Sequence, residues 1–144
     1  YLFDTVDGVL RIERTGSEPW GMATQRIKAK DLVGRTLEFS AELSGEFPEM
    51  TGKPIASTGV VIRVVGYKPE LPRMLGKSNL LVGQGEPGLT GTKCDWTRQR
   101  VRFTVPDGAT DIDVSIVLGR PGQLSARGPQ LIDVDSTPPA TAER

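Results

Sequence analysis

Residues 92–118 read TKCDWTRQRVRFTVPDGATDIDVSIVL, and the rhythm of this stretch decides the fold. Val101, Phe103 and Val105 alternate with Arg100, Arg102 and Thr104. A period of two puts the apolar set on one face of an extended chain and the cations on the other. Pro106 cannot donate to a sheet ladder, and Asp107-Gly108 carries turn chemistry, so one strand ends there and another begins. Ile112, Val114, Ile116 and Leu118 resume the alternation. The two runs read as paired strands of an antiparallel sandwich.

To either side the same period recurs. In residues 36–44, Leu37, Phe39, Ala41 and Leu43 oppose Glu38, Ser40, Glu42 and Ser44, the pattern of a strand with one wet face. Residues 59–67 are apolar on both faces and read as a central strand. Shorter strand-like runs lie at 8–14, 22–27, 79–82 and 129–134, and residues 29–33 read as one helical turn closed by Gly34. Between them, 45–58 and 68–78 are long loops, 83–91 is a glycine-rich connection and 119–128 a turn region. About eight strands and almost no helix predict an all-β, two-sheet antiparallel sandwich, and the long excursions favour a jelly roll. The domain is expected over 1–135, followed at 136–144 by a flexible tail or linker containing Pro138 and Pro139.

Composition removes several function classes. The 144 residues carry 18 Lys plus Arg and 18 Asp plus Glu, so there is no overall basic field of the kind nucleic acid binding requires. No apolar run approaches the roughly 20 residues of a membrane helix, and membrane insertion is not expected. The chain has one cysteine, Cys94, and no histidine. Cys94 has no internal disulfide partner, and no imidazole exists to activate it, so it reads as a buried or half-buried thiol. The lack of histidine also removes His-assisted triads and the usual zinc sites, and no Asp-rich loop has the density of a calcium site. No cofactor, metal ligand or catalytic residue is assigned. The chain opens on Tyr1 and is read as an excised or processed piece, for which a periplasmic or extracellular setting is expected.

The remaining candidates are groups that recognise rather than react. Residues 83–88, GQGEPG, have the glycine spacing of a dinucleotide fingerprint, but the following Leu-Thr-Gly-Thr is poor helix material and no βαβ unit surrounds it. Trp20 follows a proline in a turn, where a ring is more easily displayed than at mid-strand. Sugars offer flat C–H patches to aromatic faces and hydroxyls to charged or amide side chains, which makes Trp20, Tyr67 and Trp96 stacking candidates. Arg63 shares a strand face with Tyr67, and Arg98, Arg100 and Arg102 form a cationic ladder beside Trp96. The ordinary alternative is cross-strand pairing of that ladder with Glu38, Glu42, Asp111 and Asp113. The carboxylate pairs Glu46 with Glu49 and Asp111 with Asp113 are the material for glycoside hydrolysis, and the second pair reads better as an answer to the arginines.

Residues 28–37, KAKDLVGRTL, lead into a strand; residues 91–96, GTKCDW, open another; Val101 to Val105 precede Pro106-Asp107-Gly108-Ala109; and Gly119 to Gly122 lie ahead of the last strand. With this pattern the stretch from Gln25 to Val134 resembles bacterial accessory jelly-roll domains, similar to carbohydrate-binding modules and galactose-binding-like domains. The resemblance implies a sandwich and a binding role, and implies that Trp96 belongs to the scaffold. The expected function is a non-catalytic, carbohydrate-binding or accessory module of a larger bacterial protein, with Trp20, Arg63, Tyr67 and Arg98 as ligand contacts. The alternative is a structural or protein-interaction domain that docks a partner through 45–58 and 68–78, using Phe47, Met50, Leu71 and Met74. A glycan-acting enzyme using acidic residues is the second alternative.

Overall fold

The computed structural model describes residues 2–14, 21–48, 58–87, 89 and 92–134. Among the described residues nine strands run in the order β1 (Leu2–Val6), β2 (Val9–Glu13), β3 (Gly21–Lys28), β4 (Thr36–Glu46), β5 (Gly59–Gly66), β6 (Ser78–Gln84), β7 (Lys93–Thr104), β8 (Ala109–Leu118) and β9 (Gln123–Asp133). They form a five-stranded sheet, β1-β2-β9-β4-β7, facing a four-stranded sheet, β3-β8-β5-β6. All the pairings are antiparallel. From β2 onward the chain changes sheet at almost every connection, the jelly-roll way of closing a sandwich. Two short 3₁₀ turns, Lys30–Leu32 and Arg73–Leu75, are the helical pieces among the described residues.

The alternation sets the interior. Leu37, Phe39, Ala41 and Leu43 of β4 meet Val60, Ile62 and Val64 of β5, Val101 and Phe103 of β7, Ile112, Val114 and Ile116 of β8 and Leu124 of β9 in one buried cluster. Gln99 of β7, 1% exposed, is a polar side chain buried in this interior. Its Oε1 accepts the Val60 N–H at 2.9 Å, and its Nε2 donates to the Pro87 carbonyl at 2.9 Å, so an amide ties one sheet to the other with both ends satisfied.

Three expectations change. The strands on either side of Pro106 are not paired with each other: β7 pairs with β4, and β8 lies in the opposite sheet between β3 and β5. Pro106-Asp107-Gly108 is therefore an arch across the sandwich, with Gly108 at φ +87°. Alternation specifies which face is buried, and two facing strands of opposite sheets satisfy it as well as two neighbours do. Second, 119–128 is not a turn throughout, because β9 begins at Gln123. Leu124 and Ala126 point inward there, and the Gly128-Pro129 step is absorbed as a bulge opposite Ala41 rather than ending the strand. Third, β1 pairs with β2 across an Asp7-Gly8 turn in which both residues have positive φ, 52° and 78°, the geometry of a two-residue hairpin.

In the glycine-rich run, residues 83–87 behave as strand end and connection, and Gly88 lies outside the described residues. Gly83 and Gly85 are small where the chain crosses the core: a Cβ on Gly83 would sit 2.9 Å from Val101, and one on Gly85 would collide with Val60. No helix follows. The predicted tail at 136–144 lies outside the described residues.

Candidate functional site

Two outer sheet faces carry the polar side chains of the candidate residues, and they point in opposite directions. On the five-stranded sheet, odd positions of β7 turn inward, so Arg98, Arg100 and Arg102 project to solvent beside Glu38, Ser40 and Glu42 of β4. Arg102 Nη2 donates to Glu38 Oε1 at 3.1 Å, and Arg100 Nε stands 3.8 Å from Glu38 Oε2. Arg98 Nη1 donates to Ser40 Oγ at 2.8 Å and Nη2 to the Gly128 carbonyl at 3.4 Å.

Trp96 sits on the same face. Between Leu43 and Gly45 the pairing of β4 with β7 slips, and the extra residue on β7 lets Cys94 face the core while Trp96 turns outward. Trp96 is 38% exposed. Arg127 reaches across from β9, its Cζ 3.8 Å from the indole centroid, while its Nε donates to Glu42 Oε1 at 2.9 Å. A carboxylate thus holds a guanidinium flat on an aromatic ring. Beside this stack runs a groove of about 180 Å³ lined by Ser44, Glu46, Asp95, Trp96, Gln123 and Ser125 among others. It adjoins a larger depression of about 450 Å³, with Glu46, Lys93 and Gln123 common to both.

The opposite face belongs to β3, β8 and β5. Asp111 and Asp113 of β8 do not answer the β7 arginines, because they lie on the other sheet. Asp113 accepts from Arg26 Nε at 2.8 Å, Arg26 Nη2 at 3.0 Å and Arg63 Nη2 at 2.7 Å. Asp111 accepts from Thr110 Oγ1 at 2.8 Å and from Lys28 and Lys77 Nζ, both at 3.3 Å. The Thr110 hydroxyl, followed by the two ammonium groups, lowers the Asp111 carboxyl to about 2. Arg26, ahead of Arg63, holds the Asp113 carboxyl below its usual range. Tyr67 continues this face, with Arg73 Cζ at 4.8 Å and Lys77 Nζ at 5.9 Å from its ring centroid.

An acid-stability prediction follows from the lowered Asp111 carboxyl. A group at about 2 in the folded chain and near its ordinary 3.8 when unfolded binds more protons in the unfolded state between those values. Its contribution is complete above about pH 4 and is lost as pH falls toward 2. Thermal melts at pH 7, 4, 3 and 2 are expected to show a steeper acid decline for the native chain than for Asp111→Asn. Parallel declines would contradict the linkage.

The four expected ligand contacts do not gather in one place. Arg98 stands with Trp96 on the five-stranded sheet, Arg63 and Tyr67 stand on the four-stranded sheet, and Trp20 lies outside the described residues. Arg127 escaped the sequence reading because it was placed in a turn. The signal was the alternation of Leu124 and Ala126 with Ser125 and Arg127, interrupted visually by Gly122 and Gly128. Of the docking anchors, Phe47 is corrected: it is 3% exposed, packed against Gly45 with Arg120 over its ring at 4.5 Å. Met50 lies outside the described residues, whereas Leu71 and Met74 are exposed. Among the described residues no group of three or more acidic or cysteine side chains is placed to hold a metal ion. No described helix is long and apolar enough to cross a membrane.

No family model and no curated protein matches the chain. Among solved structures it is similar to one described as "Family 16 Carbohydrate Binding Module-2", at 17% identity and a TM-score of 0.46, over 87% of this chain and 76% of that one. It is also similar to the enzymatically active domain of bacteriophage CBA120 tailspike protein 4, at 14% identity and a TM-score of 0.43. That match covers 85% of this chain and 15% of the tailspike chain.

Proposed function

We propose that this domain is a non-catalytic carbohydrate-binding module whose ligand lies along the outer face of the five-stranded sheet, against Trp96. The observation that carries this is the 38% exposed Trp96, paired with Arg127, which Glu42 holds, and rimmed by Ser44, Asp95 and Ser125. An aromatic plate with hydrogen-bonding groups at its edge matches a sugar ring, whose C–H face needs a flat apolar partner and whose hydroxyls need donors and acceptors. Arg98 extends the polar rim one pair of residues further along β7. At about 180 Å³ the groove is smaller than the roughly 300–1,000 Å³ of enclosed ligand pockets, which supports surface recognition of one or two sugar units.

The paired carboxylates of the two outer sheet faces favour binding over hydrolysis. A glycosidase needs a carboxyl whose proton is held near neutral pH. Asp111 and Asp113 are shifted the other way, and Glu38 and Glu42 are engaged by arginines. The test is affinity electrophoresis and calorimetry against a panel of neutral polysaccharides. Trp96→Ala should weaken a measured affinity by on the order of thirtyfold, with the melting temperature nearly unchanged. Absence of binding to the whole panel, or retention of full affinity in Trp96→Ala, would overturn the proposal. A second reading, docking of a protein partner through residues 68–78, has one observation in its favour: Leu71, Met74 and Leu75 are 44%, 89% and 67% exposed.

A further inference from the structure

The four-stranded sheet offers a second surface with a different chemistry. Five cationic groups, Arg26, Lys28, Arg63, Arg73 and Lys77, are linked through Asp111, Asp113 and the Tyr67 ring into one contiguous array. The two carboxylates lie beneath the cations. Their side chains are 2% exposed at Asp111 and 5% at Asp113, against 52% for Arg26, 87% for Lys28, 44% for Arg63 and 42% for Lys77. Solvent therefore meets ammonium and guanidinium groups, and the acids act as buried anchors that fix their positions. The cations stay in excess even when Asp107 of the neighbouring arch is added, and Lys68 and Glu70 cancel each other.

Donors remain to be used. Arg63 gives only Nη2 to Asp113, and each lysine gives one of its three protons to Asp111. On the opposite face the carboxylates are more open, with side chains 15% exposed at Glu38 and 36% at Glu42, so the positive tips there are less dominant. The array also has a repeat. Arg26 and Lys28 are two positions apart on β3, roughly 7 Å along the strand, and Arg63 lies across β8, roughly 10 Å away by strand spacing.

We propose that the outer face of the four-stranded sheet binds a linear polyanionic glycan, its carboxylate or sulfate groups seated on Arg26, Lys28, Arg63 and Lys77. A flat lattice of fixed cations suits an extended chain carrying one anionic group per sugar or per disaccharide. Single-stranded nucleic acid fits less well, because successive bases need a series of aromatic faces and Tyr67 is the one aromatic side chain of this array. The choice of a glycan rests on the carbohydrate-binding reading, but the surface and its residues are separate from those around Trp96.

The test uses the whole chain with polygalacturonate, heparin and oligo(dT) as probes, in affinity electrophoresis at about 50 and 500 mM NaCl. The expected result is retardation by polygalacturonate, heparin or both, relieved at high salt and weakened at least about tenfold in Lys28→Gln/Arg63→Gln. Trp96→Ala should retain it, which separates this surface from the neutral-sugar site. Lys28→Gln alone, at the most exposed position, serves as the control for folding and should show part of the loss. Retardation by polygalacturonate identifies carboxylate, and by heparin alone, sulfate. No retardation by either, retardation unchanged in both variants, or tighter binding of oligo(dT) would overturn the proposal.

Discussion

Leu124→Ala is expected to lower the melting temperature by about 10 °C, corresponding to about 3 kcal/mol of lost stability in a domain of this size. Leu124 is fully buried in the interior cluster and lies on β9 between β2 and β4, where it pairs with Ile12 on one side and Gly45 on the other. Truncation leaves a cavity between strands already paired on both edges, so the backbone cannot collapse to fill it. The experiment also decides a point of topology. Were 119–128 a surface turn, the same change would cost less than about 0.5 kcal/mol. Urea unfolding should show an equal loss with an unchanged slope.

Gly66→Ala should be at least as damaging, by about 3 kcal/mol or more. At the end of β5 the chain passes against the arch: a Cβ at Gly66 would sit on the Gly108 carbonyl oxygen and 2.8 Å from Ala109 Cα. Both neighbours are backbone, and that carbonyl already accepts the Tyr67 N–H at 2.9 Å. No rotamer change relieves the overlap, so β5 must separate from β8 at the point where Tyr67 and the cationic face begin. Soluble yield and thermal melts measure this. A variant that melts within about 1 °C of the native chain would show that the close approach is not made.

Much of the sandwich is legible in the period of two. The apolar sets that the alternation marks in β4, β7 and β8 are buried, although β8 is buried on its other face as well, and Gly34, at φ +84°, closes the helical turn expected over 29–33. Partnership between strands is less legible. Val101 and Ile112 face one interior from opposite sheets, and nothing in the alternation separates that from a hairpin; the arch has to be read from Gly66 and Gly108, two glycines far apart in sequence that meet in space. The candidate residues show the same limit. Arg63 with Tyr67, and Trp96 with Arg98, are local pairs of the kind that spacing along a single strand suggests. Arg127 over Trp96, and Asp113 between Arg26 and Arg63, join strands separated by long stretches of chain.

The exposed indole and its guanidinium partner are the centre of the functional account. Their most direct test is a ¹⁵N-resolved NMR titration with neutral hexasaccharides of β-1,4-glucan, β-1,4-xylan, β-1,3-glucan and mannan. The account predicts that at least one of them shifts the Trp96 indole N–H together with the backbone amides of Ser125 and Arg127, and leaves those of β8 in place. No shift with any of the sugars, or shifts confined to residues remote from Trp96, would contradict it.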